Sequence, residues 1–118
     1  MPISATTTQM LKGMLEGCLL AVIARGETYG YEMIEKLERH GFHMVSEGSI
    51  YPVLMRMQKE GLVTATVRDS PSGPPRKYYS ATPKGLAYLA DFQARWNELA
   101  RAVNRLLDPG PDPVKGGN

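Results

Sequence analysis

The stretch Ser46–Leu62 constrains this chain most, because it reads as a polar-capped helix running straight into two strands folded back on each other. Ser46 suits an N-cap, and Ile50, Val53, Leu54 and Met57 recur at i, i+3, i+4 and i+7 as one core-facing stripe. Gly61 supplies the helix stop, and Leu62 the apolar contact that follows such a stop. Pro52 lies past the first turn, where it removes a backbone hydrogen bond; the stripe continues across it, so a kink within one helix is expected. Leu62–Arg68 then alternates, with Val63, Ala65 and Val67 on one face and Thr64, Thr66 and Arg68 on the other. Asp69–Pro75 is dense in turn residues, and Arg76–Ala81 returns as the second strand, which predicts a hairpin with a long tip.

The flanks are helical. Gln9–Ala24 carries one apolar stripe of Leu11, Leu15, Leu19 and Ile23 and a neighbouring face of Met10, Met14, Gly17 and Cys18. Thr28 is placed to cap a second helix reaching about Arg39, with Tyr31, Ile34 and Leu37 inward, and Gly41 suits the left-handed residue past its end. Thr82-Pro83 is a cap followed by proline at the first helical position, opening a helix to about Leu107. Its heptad positions Leu89, Phe92, Trp96, Leu99, Val103 and Leu106 are all apolar. That seam has two readings, a cover for the first helix of its own chain or a short coiled coil with a second chain. The surplus stripe on Met10–Cys18 favours the second, a two-fold dimer. Residues 1–8 and 108–118 read as flexible tails.

At 118 residues, with 42% hydrophobic and 22% charged positions, the chain is an ordinary soluble domain. Its net charge of +2 is too small to announce a polyanionic partner, so the distribution matters more. Arg68, Arg76 and Lys77 against Asp69 make the hairpin locally positive, whereas Glu27–Glu38 is net acidic. The single Cys18 fits a reducing cytoplasm, and the apolar run Cys18–Ala24 is too short to span a bilayer. His40 and His43 have no partners in sequence to complete a metal shell, and neither a phosphate loop nor a catalytic constellation is visible. No enzymatic activity and no cofactor are expected.

Three helices followed by a basic hairpin are the order of a winged helix, a mainly α fold (α+β) in which the third helix enters the DNA major groove and the hairpin flanks it. The expected partner is double-stranded DNA. On that reading residues 9–81 form the DNA-binding unit and 82–107 a dimerisation helix. Ser46, Ser49, Tyr51, Met55, Arg56 and Lys59 are the exposed candidates on the third helix, with Arg76 and Lys77 as phosphate contacts from the hairpin. Arg56 and Lys59 also fit as solvated charges, and Tyr51 as a residue packed under the wing. A winged helix that binds a protein and makes no DNA contact remains the alternative.

The chain resembles the PadR family of bacterial transcriptional regulators from Leu11 to Leu107. The matching pieces are Leu11-Lys12-Gly13-Met14-Leu15-Glu16, Tyr29-Gly30-Tyr31-Glu32-Met33, Gly48-Ser49-Ile50-Tyr51-Pro52-Val53-Leu54, Glu60-Gly61-Leu62-Val63 and Arg76 through Gly85. The resemblance implies a dimeric repressor released by a small molecule. Its single C-terminal helix is similar to the short subgroup that includes multidrug sensors, in which a planar aromatic drug lies between paired tryptophans at the dimer interface. Trp96 falls at that tryptophan's place, Met10, Met14 and Gly17 would line the walls, and Ala100 stands where those sensors carry an acidic residue. Glu16 is the nearest carboxylate on the first helix that could replace it. Trp96 as a plain core aromatic is the other reading.

Overall fold

The computed structural model describes residues 10–11, 13–43 and 45–110, so the flexibility expected of residues 1–8 and of the segment past residue 110 lies outside the described residues. The elements are α1 (Leu15–Ala24), β1 (Thr28–Tyr29), α2 (Gly30–Arg39), α3 (Glu47–Lys59), β2 (Val63–Ser70), β3 (Gly73–Ala81) and α4 (Pro83–Leu107). The three strands form one antiparallel sheet in the order β1-β3-β2. Leu19, Leu20 and Ile23 of α1, Met33 and Leu37 of α2, Ile50, Leu54 and Met57 of α3, and Val63 and Tyr79 of the sheet make a single core. This is the winged-helix arrangement expected of the sequence.

Several local expectations are corrected. Residue Thr28 caps nothing: it is a strand residue, fully buried, paired opposite Tyr79, and its hydroxyl donates to Glu32 Oε1 at 3.1 Å. A β-branched and an aromatic residue after the Gly26 turn satisfy the free edge of β3 before the chain turns helical at Gly30. Starting there rotates α2, so Met33 and Leu37 are buried while Tyr31 is 57% exposed. The first helix is shorter than expected: Met10 and Leu11 are helical, Gly13 and Met14 form a turn, and α1 begins at Leu15. The hairpin tip is short, because Ser70 pairs with Gly73 and only Pro71-Ser72 turn, with a register shift between Arg68 and Ser70. Pro74 and Pro75 are accommodated within β3 itself. Pro52 does not end α3, and the bond it forgoes, to the Gly48 carbonyl, lies on the exposed side where water can replace it.

Helix ends follow the sequence closely. Gly41 (φ 98°) and Gly61 (φ 79°) are left-handed. In both, the next residue's N–H reaches back to the third residue from the helix end, Phe42 to Leu37 and Leu62 to Met57, each at 2.9 Å. Leu62 then carries the start of α4. Thr82 N–H donates to Leu62 O at 3.1 Å, Thr82 Oγ1 donates to Gly61 O at 2.6 Å, and Lys84 Nζ donates to Glu60 O at 2.8 Å. The same Thr82 oxygen caps α4 by accepting from Gly85 N–H at 3.0 Å. Gly85 is buried so tightly here that a Cβ would overlap the Leu62 carbonyl oxygen. Because backbone cannot swing aside as a side chain can, Gly85→Ala should lower stability by roughly 2–3 kcal/mol. A lower urea midpoint at unchanged slope is the expected reading.

Candidate nucleic-acid interface and the Trp96 clefts

At 3.6 residues per turn, the side of α3 opposite Ile50, Leu54 and Met57 carries Gly48, Pro52, Met55 and Lys59, all exposed. Ser46 and Ser49 lie at the helix start, exposed, with their hydroxyls 3.1 Å apart. Ser46 is at the N-cap position, but its side chain bonds Ser49 and leaves the backbone N–H groups uncapped by it. Tyr51 lies on one flank over Gly30, its hydroxyl 2.9 Å from where a Cβ on that glycine would stand, and remains 43% exposed. Arg56 lies on the other flank and is engaged: its guanidinium meets Glu16 Oε2 at 3.0 Å and approaches Glu60 at 4.0 Å. Of the residues expected to meet DNA from this helix, Lys59 lies on that outer line, Ser46 is exposed at the N-cap, Ser49 shares the flank of Arg56, and Tyr51 lies on the opposite flank.

The wing separates its two candidate cations. Side chains alternate along a strand, so Arg76 and Lys77 point to opposite faces of β3. Arg76 stacks on Tyr29, 4.5 Å from the ring centroid, and Tyr29 meets Tyr78 edge-on at 5.3 Å. Arg68, directly opposite Arg76 in register, covers Tyr78 at 5.2 Å and forms a two-pronged ion pair with Glu27. Two arginines side by side on adjacent strands would repel; the tyrosines and Glu27 compensate. Lys77 shares the helix-facing side with Tyr79, 5.7 Å from its ring, and is exposed beyond the core edge. The sequence reading missed this Arg–Tyr–Tyr–Arg ladder, although Tyr29, Tyr78, Arg68 and Arg76 at strand positions were its visible signal.

The seam of α4 divides between its two readings. Leu89 and Phe92 pack inward, and the Phe92 ring fills the space a Cβ on Gly17 would need. Gly17 is therefore covered by its own chain, which corrects its expected place in a ligand wall. From Trp96 onward the seam is open: Trp96 is 43% and Leu99 58% exposed, with Val103 and Leu106 also uncovered. Trp96 stands between two clefts. One, about 460 Å³, is lined by Met10, Gly13, Met14, Leu99, Ala100 and Val103 together with Trp96 and Asn104. The other, about 370 Å³, lies against Ala21, Ala24, Arg25 and Phe92.

Glu16 lies outside both clefts and does not supply the carboxylate considered for them. It binds three elements together: Oε2 accepts from Arg56 of α3, and Oε1 accepts the Tyr88 hydroxyl of α4 at 2.6 Å. The hydrogen bond to Glu16, then burial, then the charges of Glu16 and Glu60 push the Tyr88 pKa up from 10 to about 12. A raised pKa means the contact contributes fully below pH 10 and is lost as pH climbs through about 12. Glu16→Gln should bring the Tyr88 ionisation down toward the ordinary value. Alkaline titration of phenolate absorbance, with Tyr88→Phe as the subtraction control among the six tyrosines, reads this directly.

Comparison with known proteins agrees with this architecture. The pattern of the transcriptional regulator PadR-like family matches residues 19–91. A PadR-like transcriptional regulator from Bacillus cereus is 54% identical, with 86% of this chain and 99% of that one superposed at a TM-score of 0.77. A Streptococcus transcriptional regulator is 38% identical, covering 85% of this chain and 98% of its own at 0.74. The Mycobacterium tuberculosis transcriptional regulator Rv3488 is 39% identical over 68% of this chain and 73% of its own. Helix order, wing and sequence together establish that this chain belongs to the PadR-like family of transcriptional regulators.

Proposed function

We propose that the protein is a homodimeric repressor that binds an inverted-repeat DNA site and is released by a planar aromatic small molecule. The observation that carries this reading is the open α4 seam from Trp96 to Leu106, on a chain whose α3 and wing are presented clear of the core. A second copy related by a two-fold axis would cover that seam and set two α3 helices for two half-sites. Residues 9–81 then act as the DNA-binding unit and 82–107 as the pairing helix, with the cytoplasm as the place of action. Among the described residues no helix is long and apolar enough to cross a membrane. Ser46, Ser49, Lys59 and Lys77 are the primary DNA contacts on this reading. Tyr51 and Arg56 border the interface, and Arg76 shapes the wing through Tyr29.

The second reading, a winged helix that docks a protein, draws on the exposed Glu35 and Glu38 of α2, which would repel phosphate. A gel shift against the protein's own upstream DNA separates the two. In that assay Lys77→Ala should weaken binding to every sequence and reduce the salt slope by about 2 per dimer, one phosphate per subunit. Arg76→Ala should instead cost stability and leave the slope nearly unchanged. Equal effects of the two variants on the slope would overturn the wing assignment.

For the effector, the larger Trp96 cleft is lined by Met10, Met14 and Ala100 and by no charged side chain, so a neutral planar aromatic suits it. Two indoles brought together by the dimer axis would stack on such a guest from both sides. Fluorescence of Trp96, the only tryptophan, should be quenched at about one ligand per dimer by that symmetry. Trp96→Ala should lose ligand binding, measured calorimetrically, while the protein still sediments as a dimer. Retained affinity would return Trp96 to a packing role.

A further inference from the structure

The outer side of α3 is unusual for a surface that must tell one DNA sequence from another. Base pairs are distinguished most sharply by bidentate hydrogen bonds from Arg, Lys, Asn or Gln. On α3 the Arg56 guanidinium is occupied by Glu16, and Gln58 and Lys59 fall in the last turn of the helix. The first half of a recognition helix is the part that meets base edges. The outward line runs Gly48, Pro52, Met55, the last just past the helix midpoint, and none of these three side chains donates a hydrogen bond; Ser46, Glu47, Ser49 and Tyr51 are exposed to either side of it. Met55 is 66% exposed, the most exposed large apolar side chain among the described residues of the three-helix region. Gly48 has open space around it: a Cβ would meet only Ser46 Oγ, at 3.9 Å. Nothing in the fold requires a glycine at that point, and its bareness lets the helix backbone come close to an external surface. Lys59 ends the same line with the positive charge a phosphate backbone would accept.

One feature of the major groove suits a thioether and a pyrrolidine ring that cannot donate a hydrogen bond. The 5-methyl group of thymine is an apolar knob on an otherwise polar floor. We propose that α3 reads its half-site largely through apolar contact, with Met55 and its neighbour Pro52 packing on thymine methyl groups. This deepens the DNA-binding reading above and depends on it.

Uracil differs from thymine only by that methyl, so replacing thymines singly by uracil in a bound duplex keeps base pairing and phosphates intact. The expected result is a loss at one or two positions per half-site, roughly fourfold for each methyl and about fifteenfold when both half-sites are changed, from the usual worth of a buried methyl. Met55→Ala should bind the thymine duplex more weakly and become indifferent to uracil at those positions, whereas Met55→Leu should keep the discrimination. An unchanged melting temperature for both variants is expected of an exposed position. Uracil duplexes bound as tightly as thymine duplexes at every position would overturn the inference, as would full uracil sensitivity persisting in Met55→Ala. Indifference to uracil together with undiminished DNA affinity in Met55→Ala would instead mark this face as a protein-docking surface. A wild-type protein that retains no upstream duplex fails earlier, at DNA binding itself, and takes this inference with it.

Discussion

The close approach of Gly85 to the Leu62 backbone governs how the rest of the molecule is disposed. Three hydrogen bonds converge there, from Thr82 N–H, Thr82 Oγ1 and Lys84 Nζ to the carbonyls of Leu62, Gly61 and Glu60, the C-cap of α3 and the two residues after it. Carbonyls at a helix exit have no partners inside the helix, so α4 satisfies the segment that leaves α3 as it starts. One oxygen, Thr82 Oγ1, serves both sides by donating to Gly61 and accepting from Gly85. With no side chain at Gly85, two backbones meet without a spacer, and the direction in which α4 leaves the core is fixed relative to α3. A 25-residue helix is a lever of about 37 Å, so a few degrees at this joint become several ångströms at its far end.

Glu16 secures the same relationship from the other side. Its carboxylate lies between Arg56 of α3 and Tyr88 of α4, largely shielded, with 17% of its side chain exposed. An isolated pair of surface charges contributes little, since solvent screens it and ordering the side chains costs entropy. A carboxylate that satisfies a guanidinium and a phenol at once, from two different helices, is a geometric constraint more than an energetic one. It also explains the state of Arg56: the arginine that sequence alone places against DNA is held by its own chain. Displacement of α4 would alter the position of Tyr88, hence the carboxylate, hence the arginine. On the proposed function, that is a short physical route from the Trp96 clefts to the edge of the DNA-facing helix.

Much of this was legible in the sequence because it depends on local chemistry. The capping signals at Gly41, Gly61 and Thr82-Pro83, the stripe Ile50–Met57 and the seam Leu89–Leu106 follow from backbone geometry and periodicity, and each falls where the sequence places it. Long-range pairing hid the rest. Thr28 and Tyr29 carry strand propensity, but two residues become a strand only when β3 offers an edge, and that contact spans fifty positions of sequence. The Asp69–Pro75 segment looked like a loop because of its prolines and glycine; the sheet accepts Pro74 and Pro75 in β3, and leaves only Pro71-Ser72 as turn. Partners of Arg56, Arg68 and Arg76 could not be foreseen, since Glu16, Glu27 and Tyr29 come from distant parts of the chain. Gly17 shows the same limit: a small residue beside a seam reads as room, and the structure fills it with Phe92.

Two exposed apolar surfaces among the described residues, on α4 and on α3, differ in a way that bears on their use. On α4 the uncovered residues Trp96, Leu99, Val103 and Leu106 are large and continuous, and they extend the inward-packed Leu89 and Phe92 along one side. A surface of that length matches another helix, because only a helix offers apolar groups at the same spacing. On α3 the apolar line is narrow, with bare backbone at Gly48, a proline, one methionine and then a lysine. Exposed serines stand at one end of it and Lys59 at the other. A major groove, with isolated methyl groups between rows of phosphate, has that same pattern of small apolar spots within a polar frame. The close joint at Leu62–Gly85 links both surfaces, so on the proposed function the contact that pairs two α4 seams also sets the spacing of two α3 faces.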